Sequence, residues 1–186
     1  MIAVWSLLVY AVLPLWVVAG FLDYLCHRAT HIEEATGTRE SLIHWLMVVE
    51  VGAPLLLAVF CRINALVLLI MVVCLILHEI TGYFDLKLAM ATRKVSIFEH
   101  QVHSLLEILP LTALLMVMAL HWPQAEALFG FGQATPEFGL GPKQSPRWGE
   151  LVPPAALFVL FVLAPYAEEL WRGQKTRAAR RNAKTS

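Results

Sequence analysis

Residues 97–110, IFEHQVHSLLEILP, place two imidazoles and two carboxylates inside a strongly apolar run. Glu99, His100, His103 and Glu107 lie close enough in sequence that a helix of 3.6 residues per turn puts all four in one sector of about 100°. Ionisable groups within a membrane-spanning helix are costly and mark function by default. Imidazole and carboxylate are both metal ligands, so this segment predicts a metal site.

Three earlier segments carry the same residue types at helical spacing. They are Asp23, His27, His31 and Glu34 on one face of an extended first helix, Glu40, His44 and Glu50 in the second helix, and His78 and Asp85 in the third. Helical bundles build metal sites by directing such stripes of ligands inward from facing helices. Six of the seven histidines fall into this pattern, and only His121 stands apart.

We therefore expect a site in which imidazole dominates and carboxylate contributes; the residues that carry out catalysis cannot be assigned from the sequence. The expected metal ligands are His27, His31, His44, His78, His100 and His103, with Glu50, Glu107 and Asp85 as terminal or bridging oxygen ligands. Glu40, Glu99 and Glu34 are expected to accept hydrogen bonds from the ligating imidazoles.

The composition indicates which elements position these side chains. The chain has 186 residues, of which 59% are hydrophobic and 15% charged, with a formal net charge of zero. These values are typical of integral membrane proteins, and the absence of net charge argues against nucleic acid as a partner. Three cysteines without a C-x-x-C pair argue against a disulfide framework and a thiolate zinc site.

Five apolar stretches approach the roughly 20 residues that cross the hydrocarbon core of a bilayer. They are residues 2–22, 42–60, 65–80, 97–120 and 153–170. The third is long enough only if the polar sequence HEITGYFD continues its helix. We predict an all-α, polytopic membrane bundle of about five transmembrane helices, with the metal site between helices 1–4. Residues 1–172 are expected to form one domain and residues 173–186 a basic cytoplasmic tail.

The distribution of lysine and arginine predicts the orientation. Five spans place eleven basic residues on one side, namely Arg28, Arg39, Lys87, Arg93, Lys94, Arg172, Lys175, Arg177, Arg180, Arg181 and Lys184. The other side holds three, namely Arg62, Lys143 and Arg147. We expect an inner-membrane protein of a bacterium, with the N-terminus outside, the C-terminus in the cytoplasm and the metal site near the cytoplasmic face.

Six histidines exceed the needs of one tetrahedral zinc ion, and two metals that share bridging carboxylates would use the ligands better. Imidazole with carboxylate and little sulfur favours iron, with zinc and manganese as alternatives. The boxes HRATH (His27 and His31) and HQVH (His100 and His103) resemble those of the membrane-bound non-haem diiron family of fatty-acid desaturases, hydroxylases and alkane monooxygenases. That resemblance implies two iron ions held mainly by histidine at the cytoplasmic face of a helical membrane domain.

The expected function is oxidation of a lipid or another apolar substrate by dioxygen at such a centre. The expected partners are membrane lipids and an electron donor, either a protein or a quinol, and a homo-oligomer is left open. Three alternatives are a haem-binding electron carrier with two axial histidines, a divalent-metal transporter and a structural zinc site. The carboxylates beside nearly every histidine count against haem, and the apolar outer half of the bundle counts against transport.

Overall fold

The computed structural model describes residues 1–143 and 148–183, and this part of the chain is all-helical, with no β-strand. Its seven helices are α1 Ile2–Ala29, α2 Ile32–Ala35, α3 Thr38–Phe60, α4 Ala65–Thr92, α5 Ile97–Leu120, α6 Trp122–Leu128, and α7, which consists of Trp148–Phe158, Val159–Leu163 and Ala164–Asn182. The π-helical segments Leu8–Val12 and Val159–Leu163 lie within α1 and α7 without ending them. The expected basic tail continues α7 as helix to Asn182.

Four of the described helices, α1, α3, α4 and α5, are long and apolar enough to cross a membrane. They are consistent with an integral membrane protein, as the composition predicts. The fifth expected span, residues 153–170, is helical within α7 but is not among these four. Arg147 and Lys184, which entered the charge count for orientation, lie outside the described residues.

Helix boundaries follow local capping signals. Asn64 and Ser96 each accept a hydrogen bond from a backbone N–H in the first turn of α4 and α5, as N-cap residues do. The polar sequence after Ile80 does continue α4, which reaches Thr92. In the connection after α5, residues 122–128 form the short helix α6.

The first helix ends earlier than its spacing of polar residues predicts. α1 stops at Ala29, the Thr30 hydroxyl donates to the carbonyl of Cys26 at 2.9 Å, and His31 has a left-handed φ of 51°. The predicted extension of one helical face from Asp23 to Glu34 is therefore wrong, because the chain turns at His31 before α2 begins.

The apolar core consists of separate clusters between pairs of helices. Leu68 and Leu114 belong to a cluster between α4 and α5, and Val12 and Leu109 to one between α1 and α5. Tyr166 of α7 packs with Tyr24 of α1 in a third cluster. These contacts bring α1, α3, α4, α5 and α7 together around polar side chains at the end of the bundle that contains the connections α1–α3 and α4–α5.

Candidate metal centre

Five helices contribute to one buried group of ionisable side chains, which we call the central cluster. Its members are Asp23 and His27 from α1, Glu40 and His44 from α3, Asp85 from α4, Glu99 and His103 from α5, and Glu169 from α7. Each is less than a tenth exposed, and His27, Glu40 and Glu99 are wholly buried. Uncompensated ionisable groups at such depth are strongly unfavourable, so their partners decide what the cluster can do.

The Glu169 carboxylate holds two imidazoles at once. Its Oε2 lies 3.1 Å from Nδ1 of His27 and its Oε1 lies 2.9 Å from Nδ1 of His44. The two rings stack with centroids 4.4 Å apart and planes only 3° from parallel. Because an ionised carboxylate only accepts hydrogen bonds, it selects the tautomer in which each ring carries its proton on Nδ1. The Nε2 lone pairs then point away from Glu169, as in carboxylate–histidine–metal arrangements.

Carboxylates surround the free nitrogen of the first imidazole. Nε2 of His27 lies 3.4 Å from Oδ1 of Asp23, 3.8 Å from Oε1 of Glu99 and 3.9 Å from Oε1 of Glu40. Nε2 of His103 approaches the same Asp23 oxygen at 3.1 Å. One carboxylate oxygen therefore lies between two imidazole nitrogens.

The second imidazole has a similar environment. Nε2 of His44 lies 3.2 Å from Oδ1 of Asp85, whose Oδ2 is 4.0 Å from Nδ1 of His103. Within the described residues, five of these buried atoms make no hydrogen bond: Nε2 of His27, His44 and His103, and Oδ1 of Asp23 and Asp85. Buried polar atoms without partners are rare in native proteins, and an unseen ion is one of the few explanations for a group of them.

Two trios within the cluster have ligand atoms within 4.8 Å of one another. One consists of Asp23, His27 and His103, and the other of His27, Glu40 and His44. Because a single imidazole nitrogen binds one ion, His27 can serve only one of these trios at a time. The described residues thus offer two alternative three-residue groups, and both include His27.

Two further side chains hold the carboxylates in place. The Tyr166 hydroxyl donates to Oδ2 of Asp23 at 3.0 Å, which leaves Oδ1 facing His27 and His103. Arg93 pairs through Nη2 with both Glu40 and Glu99 at 2.6 Å. Burial lowers the pKa of this guanidinium, but the two carboxylates outweigh that effect and hold the Arg93 pKa above its ordinary value.

The charges of the cluster do not balance. Its five carboxylates, namely Asp23, Glu40, Asp85, Glu99 and Glu169, face one buried guanidinium, that of Arg93. With neutral imidazoles and ionised carboxylates, four negative charges are left in a buried site. Protons on the histidines, protons on the carboxylates themselves or bound cations must restore the balance.

The predicted site residues separate into those inside the central cluster and those outside it. His27, His44, His103, Asp85, Glu40 and Glu99 are inside. The structure does not bring His31 or His100 to it, since both are exposed and the His31 side chain retains 70% of its accessible surface. Glu34 is also exposed, and Glu107 is half-buried. His78 and Glu50 form a separate buried pair, described below.

The pattern of polar residues identified Asp23 only as a member of a helical face, and it did not identify Glu169 or Tyr166. The last two are spaced three apart near the end of the fifth apolar stretch, in PYAEELW. The spacing Tyr166-x-x-Glu169 places two polar groups on one face of an apolar helix. The same rule of helical spacing that identified the other site residues therefore applies to this pair.

Comparison with known proteins finds no matching family model, no similar curated protein and no similar solved structure.

Proposed function

We propose that the protein is a membrane-embedded non-haem diiron oxidoreductase that uses dioxygen to oxidise a lipid or another apolar molecule. The observation that carries the proposal is the set of buried imidazole nitrogens and carboxylate oxygens that face one another without hydrogen-bond partners. Four uncompensated negative charges in the same cluster would be balanced by two divalent cations. The donor atoms are those that iron, manganese and zinc share.

The same carboxylate holds both stacked rings, whose centroids are 4.4 Å apart. His27, Glu40 and His44 have ligand atoms within 4.8 Å of one another, and so do Asp23, His27 and His103. Two ions would use His27 in one group and leave His44 for the other ion, and the four unbalanced carboxylates favour this second cation.

Each residue of the cluster has a distinct task in this proposal. His27, His103 and Asp23 would hold one ion, and His44 and Asp85 would hold the other, with Glu40 near both His27 and His44. Glu169 orients the two stacked imidazoles, Tyr166 orients Asp23, and Arg93 fixes Glu40 and Glu99. Reduced iron in such a ligand set supplies the binding and activation of dioxygen.

The same geometry argues against haem held by the stacked pair. Axial ligands of a haem approach the iron from opposite faces of the macrocycle, whereas the rings of His27 and His44 lie parallel on the same side of Glu169. A transporter would need ligands near the middle of the membrane and access from both sides. The cluster lies instead at one end of the described bundle.

The proposal includes a location for the site. If α7 crosses the membrane as a fifth span, the excess of basic residues places the central cluster near the cytoplasmic face, with the N-terminus outside. An electron donor, either a protein or a quinol, would then reach the centre from the cytoplasm or from the membrane.

Two histidines of α5 provide the direct test. His103→Ala should abolish bound iron and the dioxygen consumption of the reduced protein, because it removes a ligand from the cluster. His100→Ala, three residues earlier on the exposed side of the same helix, should leave both unchanged. Metal content by elemental mass spectrometry and oxygen uptake by electrode are the measurements. Equal metal content in the two variants would refute the site.

A further inference from the structure

A second polar site lies away from the central cluster, at the inner end of an apolar cavity between α1, α3, α4 and α5. The cavity has a volume of about 150 Å³, and its walls include Leu13, Trp16, Leu55, Leu75 and Leu114. The cavity is partly open rather than enclosed. Apolar cavities of this volume take up molecules the size of benzene. This one therefore has room for a six-carbon body.

Departures from regular helix surround the cavity. Pro54 lies within α3 and Pro110 within α5, and both line it. The π-helical segment Leu8–Val12 of α1 provides Leu8 and Val9 to the same wall. Proline removes a backbone hydrogen bond from a helix, and π segments occur frequently at functional sites. Three of the four surrounding helices thus carry a proline or a π segment where they line the cavity.

Glu50 and His78 are the polar side chains at the inner end of the cavity. They are 9% and 5% exposed. Thr81 donates to Oε1 of Glu50 at 2.8 Å, and Oε2 has no hydrogen-bond partner among the described residues. The backbone of Leu106 approaches the His78 ring, but neither ring nitrogen makes a hydrogen bond of ordinary geometry there. Oε2 lies 3.9 Å from Nδ1 of His78, which is too far for a hydrogen bond between them.

We propose that Glu50 and His78 bind the hydroxyl group of a neutral apolar molecule whose body fills the cavity. A hydroxyl can donate to Oε2 of Glu50 and accept from a ring N–H of His78, which satisfies two of the orphaned buried groups. A carboxylate or phosphate headgroup would be repelled by Glu50, and an ammonium group could not accept from His78. An aliphatic alcohol and a quinol share the required chemistry.

This site goes beyond the proposed oxidation chemistry. Glu50 is six residues from His44 on α3, and His78 is seven residues from Asp85 on α4, so the pair lies about 10 Å along the helix axes from the central cluster. At that distance, a molecule bound by Glu50 and His78 would lie next to the central cluster. In this proposal Glu50 and His78 bind an organic molecule, whereas their helical spacing predicted them as metal ligands.

Trp5 and Trp16 line the cavity and supply a reporter, because bromine quenches tryptophan fluorescence on contact. Purified full-length protein would be titrated with bromohexanol, bromohydroquinone, bromohexane and bromohexanoate. We expect one of the two hydroxyl compounds to quench at concentrations at least about tenfold lower than the alkane and the carboxylate, which corresponds to one or two buried hydrogen bonds. Stronger quenching by bromohexanol indicates an aliphatic alcohol, and stronger quenching by bromohydroquinone a quinol.

Variants assign the effect to the polar pair. Glu50→Leu and His78→Phe should remove the preference for a hydroxyl while quenching by bromohexane persists, which also shows that the cavity has kept its shape. Glu79→Leu, a neighbouring but exposed acid on α4, is the matched control and should retain the preference. Equal quenching by bromohexanol, bromohydroquinone and bromohexane in the unmodified protein would overturn the proposal, as would a preference that survives Glu50→Leu.

Metal content, measured on the same samples, separates this inference from the proposed function. Glu50→Leu should retain metal, and loss of metal comparable with that of His103→Ala would identify Glu50 as a ligand and overturn the inference alone. Hydroxyl preference in a protein that binds no metal would leave the inference standing and remove the diiron proposal.

Discussion

Glu169 determines the chemistry of the central cluster at the scale of single residues. By accepting from Nδ1 of both His27 and His44, it turns two flexible imidazoles into parallel donors with a defined free nitrogen. His27, His44, His103 and Asp85 could be predicted because their residue types and helical spacing are visible in the sequence. Glu169 could not be predicted from the first four helices, since its role depends on how α7 packs against them.

Replacement of Glu169 by glutamine tests this role. A glutamine side chain has one acceptor oxygen where Glu169 has two, so at least one imidazole loses its acceptor and its preferred tautomer. We expect metal affinity to fall about 10–100-fold, the usual effect of removing a hydrogen-bond partner of a ligand. Glu168→Gln, the adjacent residue that pairs with Tyr24 and Arg28, is the control. Competition with a chelator of known affinity gives the two values, which should differ; equal affinities would contradict the role.

Arg93 supplies the positive charge within the cluster. Arg93→Gln leaves Glu40 and Glu99 without their guanidinium, and loss of one partner of a buried pair costs about 3–5 kcal/mol. Bound divalent metal would offset part of this loss, so the fall in melting temperature should be larger in metal-free than in metal-loaded protein. Thermal unfolding of both forms measures the difference, with the exposed Lys94→Gln as control. A fall no larger than that of Lys94→Gln in either form would argue against the charge balance proposed above.

At the scale of the helices, the end of each helix and its orientation in the bundle determine which of the regularly spaced residues reach the central cluster. The predicted face from Asp23 to Glu34 requires an unbroken helix, but the left-handed backbone of His31 ends it. The spacing of polar residues does not reveal such a turn, although histidine is one of the few residues other than glycine that are enriched at positive φ. On α5, by contrast, the predicted helix boundaries are confirmed, and the burial of His103 beside an exposed His100 follows from helix orientation in the bundle.

The turn at His31 makes a prediction about stability. Glycine adopts positive φ without strain, so His31→Gly should raise stability by up to about 1 kcal/mol, whereas the branched side chain of His31→Val should lower it. Both variants should retain full metal content because the His31 side chain points to solvent. Thermal unfolding and elemental analysis test the two statements, and loss of metal from His31→Gly would place His31 among the ligands after all.

The contact of α7 with the start of α3 positions Glu169. A Cβ atom on Gly173 would lie 3.3 Å from the backbone oxygen of Gly37, so a larger side chain must push α7 outward. We expect Gly173→Val to weaken metal binding without altering any ligand. Gly149→Val, in the same helix where no described atom lies within 4 Å, is the control. Unchanged affinity in both variants would show that the position of α7 does not matter for the site.

For the whole molecule, the arrangement is a polar cluster at one end of an apolar bundle, with an apolar cavity beyond it. The all-helical fold and four apolar spans follow from composition and hydrophobic length, which the sequence displays directly. The cavity could not be predicted in this way, because it depends on how Pro54, Pro110 and the π-helical segment of α1 are arranged in space. The sequence shows the two prolines, but it does not show that they line the same cavity.

Membrane orientation is a prediction at this scale. If α7 is a fifth span, the two termini lie on opposite sides, whereas four spans would place them on the same side. A fluorescent protein fused to the C-terminus should be bright and a periplasmic phosphatase fused there inactive, with the reverse result for the phosphatase at the N-terminus. An active phosphatase at both ends or at neither would contradict the five-span topology.

The most direct test of the central claim is the metal content and visible spectrum of the detergent-purified protein. The proposal predicts about two irons per chain, the count of a dinuclear site, without the intense Soret band of haem. A single zinc with a featureless spectrum would contradict dioxygen chemistry. Protein free of transition metal would show that protons, on the histidines or on the carboxylates, neutralise the cluster, and that result would remove the metal centre itself.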